Sequence, residues 1–228
     1  MLNIDIIQHV SFEGPGLIAA WALSRNYSLR IHKIFEGAAI PQEENIEFLI
    51  VLGGPMSVND EDFWINDERE LIENMARKKK PVFGVCFGAQ QISKVLGGEV
   101  LPCKKEVGWG EVTLKNTPFQ TNKTNFNVLH WHGEQFTIPS KATRLFTNTY
   151  CENQGIMFEN LIGVQFHLET DRESLQKIVQ NDSSFINNSV YNQSAEQISS
   201  FEIPKENKEL LYTILDSLAS IKGEVSYE

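Results

Sequence analysis

The chain has 228 residues, 41% of them hydrophobic and 22% charged, which is enough for one large α/β domain or two small ones. Its formal net charge of −10 argues against nucleic acid or an anionic membrane as a partner, because such binding needs clustered lysine and arginine. Three cysteines without paired spacing argue against a disulfide framework. No signal-peptide pattern and no bilayer-spanning apolar run are found, so we expect a cytoplasmic protein.

Short apolar strands alternate with helical patterns through the first hundred residues. Strands are predicted at 2–7, 29–34 and 48–52, and helices at 17–24, from a cap at Asn66 or Asp67 to 79, and at 89–96. Fully apolar strands such as 48–52 are typical of a parallel sheet covered on both faces. This order predicts an α/β fold with a doubly wound, mostly parallel sheet, helices on both faces, and active-site loops at the carboxyl ends of the strands.

The pattern changes after Gly98. Short strands are predicted at 111–114, 128–131 and 161–166, as a small antiparallel extension of the sheet. Helices follow at 172–180, 195–200 and 205–220, with an Asn/Ser-rich loop over 181–194. No domain boundary is convincing, so we expect residues 1–228 to form a single domain with a C-terminal helical extension over 170–228.

A cysteine stands on a glycine-bracketed turn, Gly84-Val85-Cys86-Phe87-Gly88, directly after a short apolar run. This is the strand-turn-helix pattern of a nucleophile elbow, with sulfur in place of the usual oxygen. The glycines let the backbone pass close to a strained residue, and the Phe87 N–H can face a developing oxyanion. Cys86 is therefore a candidate nucleophile, although the pattern taken alone fits a buried structural cysteine equally well.

A base and a group to orient it stand late in the chain. His167 follows an apolar strand, and Glu169 comes two residues later. In extended backbone, residues i and i+2 point the same way, so the Glu169 carboxylate can hydrogen-bond the far imidazole nitrogen. A second oxyanion donor is expected at Gly54 in Gly53-Gly54-Pro55, because Pro55 has no N–H. Together these residues predict acyl transfer through a Cys-His-Glu triad.

In order and approximate spacing, these segments resemble the class I glutamine amidotransferases, which have a flavodoxin-like fold. The continuation from Tyr191 is similar to their freestanding, GMP-synthetase-like members. The resemblance implies that Gln90 and the backbone of Gly108 and Trp109 line a glutamyl pocket. It also implies a substrate, glutamine or a γ-glutamyl compound, and a synthetase subunit as a candidate acceptor of the ammonia. No cofactor is expected.

One position departs from the family pattern. The segment Phe166-His167-Leu168-Glu169 has leucine where the family usually has proline. Proline stiffens the link between the base and its orienting group, but Leu168 leaves both functional groups in place. We therefore expect the chemistry to survive this change.

Two other functions fit the sequence. One is a self-sufficient γ-glutamyl peptidase or hydrolase, because the chain shows no ATP-binding loop or acceptor site. The other is a regulatory protein that senses glutamine without turnover, which an intact set of three catalytic residue types argues against. His130 and His132, with Glu134 nearby, could bind a metal ion, but no third ligand stands at convincing spacing, so no metal is expected.

Overall fold

The computed structural model describes residues 2–116, 118–119 and 121–221. Strands occupy these ranges: β1 Asn3–Gln8, β2 Ser28–Lys33, β3 Phe48–Val51, β4 Val82–Val85, β5 Val100–Leu114, β6 Asn125–Phe136, β7 Thr143–Thr147, β8 Gly155–Phe158 and β9 Leu161–Val164. The α-helices occupy these ranges: α1 Gly16–Ser24, α2 Phe63–Arg77, α3 Phe87–Val95, α4 Arg172–Asn181, α5 Ala195–Ser200 and α6 Lys205–Ala219. Short 3₁₀ turns cover Ile34–Glu36, Glu43–Asn45 and Ser183–Ile186.

One sheet joins the nine strands of the described chain in the order β2-β1-β3-β4-β9-β8-β7-β5-β6. The first five are parallel, in the 2-1-3-4-5 arrangement of flavodoxin-like folds if β9 is counted as the fifth. The remaining strands are antiparallel. The predicted doubly wound α/β fold is confirmed, with an antiparallel extension that contributes four of the nine strands.

Helices cover both faces of the parallel half, which explains why β3 and β4 are apolar at every non-glycine position and entirely buried. On one face, Trp21 of α1 and Ile214 of α6 belong to the core. On the other face, Ile72 of α2 and Ile92 of α3 do the same. Burying each such aliphatic side chain contributes about 1.5–3 kcal/mol, so the two layers fix the strand ends that carry the site.

The start of α2 differs from the prediction. The helix begins at Phe63, after an extended Asp62, so the expected cap at Asn66 or Asp67 is wrong. Acidic residues such as Asp67 and Glu70 are typical of a first helical turn and favoured a later start. Because Ile65 is buried in the core, tertiary packing adds one more turn at the amino end. As a result Glu68 lies inside the helix and is completely buried.

The antiparallel extension is larger than the sequence pattern indicates. β5 and β6 have 15 and 12 residues and pair with each other, although β5 contains Lys104 and Lys105. β7 and β8 were not predicted. Pairing with a strand distant in sequence stabilises these polar segments, and the local hydrophobic pattern does not predict that pairing.

The C-terminal helices pack on two different surfaces. Leu175 of α4 and Ile198 of α5 pack with Trp109 and Trp131 of the β5–β6 hairpin, whereas α6 packs on the main core. The unity of residues 170–228 as one extension stays a prediction, and residues 222–228 lie outside the described part. No helix among the described residues combines the length and apolar character needed to cross a membrane.

Candidate active site

Cys86 lies at the turn between β4 and α3 in a strained conformation, with φ 49° and ψ −102°. Glycines on both sides make this turn possible. A β-carbon on Gly84 would lie 2.5 Å from the carbonyl group of Gly88, and one on Gly88 would overlap the backbone of Val51. Strain of this kind costs about 1–3 kcal/mol and concentrates at functional sites. The conformation therefore supports a functional role for this cysteine over a packing role.

One glutamine contacts the Cys86 thiol, and a second glutamine contacts the first. The Gln165 side-chain amide donates to the sulfur at 3.4 Å, and Gln90 Nε2 lies 3.4 Å from Gln165 Oε1. Gln90, expected from the family resemblance, thus lies one contact away from the thiol. Gln165 was missed by the sequence reasoning. Its signal was available, because it precedes His167 by two residues and alternation places both on the same side.

His167 and Glu169 form a buried pair in which Nδ1 and Oε1 are 2.7 Å apart. Burial lowers the pKa of His167, but the Glu169 carboxylate and the neighbouring Cys86 thiol outweigh burial and raise it well above its usual value. Because Nδ1–H donates to Glu169, the neutral ring carries its lone pair on Nε2. Within the described chain Nε2 has no partner at full hydrogen-bond geometry, so it is available to the thiol.

The glycine turn after β3 lies against both Cys86 and His167. A β-carbon on Gly53 would be 3.5 Å from Cys86 Cβ and 3.1 Å from His167 Cε1. The other expected donor, the Phe87 N–H, stands in the first turn of α3, where a helix offers no internal acceptor. The turn and the elbow thus come together beside Cys86, and the oxyanion role of the Gly54 and Phe87 N–H groups stays a prediction.

His9, for which the sequence offers no partner, orients this turn. Its Nδ1 donates to the Gly53 carbonyl at 2.9 Å, and its Nε2 lies 2.8 Å from Glu68 Oε2. Burial lowers the pKa of His9, but the Glu68 carboxylate more than offsets this and the net pKa is raised. Since the N–H of a trans peptide points opposite to its C=O, holding the Gly53 carbonyl also fixes the direction of the Gly54 N–H.

The amino end of α1 contacts the backbone of Glu169. The Leu17 N–H donates to the Glu169 carbonyl at 2.7 Å. Gly16 has φ 43°, and a β-carbon there would overlap the same carbonyl. Only glycine at position 16 therefore allows α1 to approach the backbone of Glu169.

A cavity of about 340 Å³ opens onto the thiol. Its lining includes Cys86, Gly54 and Gln90. Gly108 and Trp109 are not among the described residues that line it, and the Trp109 N–H already donates to Gln193 Oε1 at 2.8 Å. A larger groove of about 940 Å³ lies along α2 and does not include the cysteine, so we place the chemistry in the smaller one.

Glu13 lines the same cavity and was missed by the sequence reasoning. A β-carbon on Gly53 would overlap its carboxylate, which puts Glu13 beside the oxyanion turn. Burial, together with the charge of Glu169, raises the pKa of Glu13 to about 7, and His167 opposes this shift. A loop residue of this kind carries no local pattern that separates it from an ordinary surface glutamate.

A third candidate metal ligand does exist, contrary to the expectation from spacing. Glu106 of β5 lies across from His132 of β6, and the ligand atoms of Glu106, His130 and His132 lie within 4.8 Å of one another. The Glu106 carboxylate, however, already accepts from Tyr191 at 2.6 Å and Gln154 at 2.7 Å. These donors favour an ionic hydrogen-bond network, in which the pKa of Glu106 falls to about 2 because the histidine and tyrosine contacts outweigh burial.

A doubly wound sheet that presents a strained cysteine beside a buried His-Glu pair is an arrangement typical of α/β proteins with a nucleophilic cysteine. The profile of the class-I glutamine amidotransferase family matches residues 17–185, and the chain belongs to that family.

Individual relatives agree with this assignment. The glutamine amidotransferase-like protein YfeJ of Salmonella typhimurium is 27% identical over 192 residues, covering 78% of this chain and 80% of YfeJ. A glutamine-hydrolysing GMP synthase of Streptococcus pneumoniae is 34% identical over 149 residues, or 62% of this chain, which spans only 27% of that enzyme. The crystal structure of a glutamine amidotransferase from Thermotoga maritima superposes with a TM-score of 0.87 at 27% identity, covering 96% of this chain and 98% of that one.

Proposed function

We propose that the chain hydrolyses the γ-amide of glutamine, or a γ-glutamyl amide, through a thioester on Cys86. The observation that carries this proposal is the strained elbow cysteine, whose sulfur lies beside a histidine already oriented by a buried carboxylate. Membership in a family of amidotransferases supports the reaction class.

In the first half of the reaction, His167 Nε2 takes the thiol proton, and the thiolate attacks the carbonyl carbon of the substrate's side-chain amide. The oxyanion that forms is stabilised by the Gly54 and Phe87 N–H groups, and each such donor is worth about 3 kcal/mol in related sites. The imidazolium of His167 then gives its proton to the leaving nitrogen as the C–N bond breaks. Glu169 stabilises the imidazolium throughout.

In the second half, water replaces the thiol. His167 takes a proton from the water as its oxygen attacks the thioester carbon, and the collapse of the second oxyanion expels the Cys86 thiolate, which recovers that proton. The products are glutamate and ammonia, or glutamate and an amine. The GMP synthase relative supports a synthetase partner as acceptor when ammonia is the product.

The test is turnover together with covalent capture of the nucleophile. Purified protein is incubated with glutamine and with γ-glutamyl amides while ammonia or amine is measured, and separately with a glutamine analogue that carries an electrophile in place of the side-chain amide. We expect release from at least one substrate and a single adduct on Cys86. Cys86→Ala should abolish both, whereas Cys103→Ala should behave as the unmodified protein.

Two results would overturn the proposal. The first is the absence of both release and labelling from a folded protein. The second is turnover that survives Cys86→Ala. A release of ammonia that needs an added synthetase would keep the proposal and identify the acceptor.

A further inference from the structure

The active-site cavity has an acidic wall on the side from which the amine leaves. We propose that the preferred substrates are γ-glutamyl amines whose leaving amine carries a second, positively charged ammonium group. This inference rests on the proposed function and deepens it, because it names the class of compound that Cys86 cleaves.

The lining of the cavity is strongly unbalanced in charge. It contains the carboxylates Glu13, Glu134 and Asp182, and among the described residues that line it there is no lysine or arginine. A γ-glutamyl group brings one α-ammonium and one α-carboxylate. Even if one acidic side chain pairs with the α-ammonium, two remain for the rest of the substrate.

None of these carboxylates forms an ion pair with a lysine or arginine of the described chain. Glu134 accepts from the Ser57 hydroxyl at 3.1 Å, and Asp182 accepts from the Trp131 indole at 2.8 Å, but both donors are uncharged. Glu13 forms no direct hydrogen bond with a described residue; burial raises its pKa to about 7, and the charge of the neighbouring His167 opposes that rise. A positive charge on the substrate would stabilise the ionised form of carboxylates that are partly removed from water.

The geometry of the reaction assigns Glu13 to the leaving-group side. The leaving nitrogen must face His167 Nε2, because His167 delivers its proton. A β-carbon on Gly53 would lie 2.3 Å from Glu13 Oε2 and 3.1 Å from His167 Cε1, so the carboxylate and the imidazole face the same space, next to the path of the departing amine. A short chain that extends from the leaving nitrogen brings a distal ammonium group to this wall.

The same wall disfavours other classes of γ-glutamyl compound. A γ-glutamyl peptide carries a carboxylate on its leaving group, which would stand opposite the acidic side chains. A neutral alkylamine would gain nothing from them. The cavity therefore discriminates between substrates by the charge at the far end of the leaving amine.

The experiment uses three substrates that share the γ-glutamyl group and a four-carbon leaving amine. The leaving amine is 1,4-diaminobutane, n-butylamine or 4-aminobutanoate, so only the distal charge changes, and glutamine serves as the reference. We expect kcat/KM to be about tenfold higher for the cationic than for the neutral compound, and lower again for the anionic one.

Variants locate the source of the preference. Glu13→Gln should reduce the cationic-to-neutral ratio to about two or below, and Asp182→Asn or Glu134→Gln should reduce it less. Glu111→Gln, an exposed acidic residue outside the cavity lining, should leave the ratio unchanged. The ratio is measured within each preparation, so partial loss of folded protein cancels.

The outcomes separate the two proposals. Turnover with equal or better rates for the neutral or anionic compound overturns the substrate class and leaves the proposed function standing. A ratio unaffected by all three cavity variants also overturns it. No release from any of the four compounds, together with an unlabelled Cys86, removes the proposed function and this inference with it.

Discussion

His167 and His130 are both buried beside a buried carboxylate, yet their pKa values move in opposite directions. Burial lowers the pKa of both. For His167 the Glu169 carboxylate, 2.7 Å from Nδ1, reverses that effect. For His130 burial wins and the pKa falls to about 3, because Glu106 is 3.9 Å away and bonds to other donors.

The comparison separates an imidazole suited to act as a base, as we propose for His167, from an imidazole that stays neutral in the fold. A direct hydrogen bond to a carboxylate both orients an imidazole and stabilises its cation, as acyl chemistry requires. A carboxylate already bonded by tyrosine and glutamine supplies only a distant charge, and the histidine stays neutral. Proximity in the fold alone would have suggested the same role for both rings.

The largest expected effect comes from removing the charge beside His167. Glu169→Gln can still accept the Nδ1 hydrogen bond but no longer stabilises the imidazolium, so kcat/KM should fall about a thousandfold, or about 4 kcal/mol of barrier. The pH dependence of Cys86 labelling should change as well, because the pKa of His167 falls.

The matched control for this change is Glu111→Gln, which is exposed and should keep both the rate and the pH profile. A loss smaller than about tenfold in Glu169→Gln would mean that His167 does not depend on this carboxylate.

A smaller effect, on stability rather than on rate, is expected at Glu106, the carboxylate near His130. Glu106→Gln leaves the donors of Tyr191 and Gln154 facing an amide in place of a charge. The free energy of unfolding should fall by about 3 kcal/mol, measured by urea denaturation at pH 7. Glu111→Gln should remain within about 0.5 kcal/mol of the unmodified protein. A change that small in Glu106→Gln would show that the network contributes little.

The smallest effect concerns the pH dependence of stability, which should have opposite signs for His130 and His167. His130 has a folded pKa of about 3, below its unfolded value, so between these values the unfolded state binds the extra proton and stability falls as the pH falls. His167 has a raised pKa, so its contribution is fully present below about pH 6.5 and is lost as the pH rises through the folded value.

His130→Phe removes the first of these contributions. Relative to the unmodified protein, the variant should gain about 1–2 kcal/mol of unfolding free energy between pH 7 and pH 5. Urea midpoints at the two pH values measure the change, and any packing cost that does not vary with pH cancels. A difference that stays constant with pH would contradict the neutral assignment of His130.

Local sequence signals predicted the parallel half of the fold well. Short apolar-rich runs are local features, and the strands predicted at 2–7, 29–34 and 48–52 lie within a residue of β1, β2 and β3. The antiparallel strands were predicted less well. β7 and β8 are held by neighbours distant in sequence, so their own residues carry little of the signal.

What the sequence by itself determined is the set of candidates that local geometry creates: an elbow cysteine between glycines, and His167 and Glu169 two residues apart. Only the tertiary structure decided which distant groups face them. His9 meets Glu68 across 59 positions, and Glu13 reaches the turn at Gly53 from another loop. The physical reason is that imidazole and carboxylate interact through space over a few ångströms, and chain spacing does not encode which of them will meet.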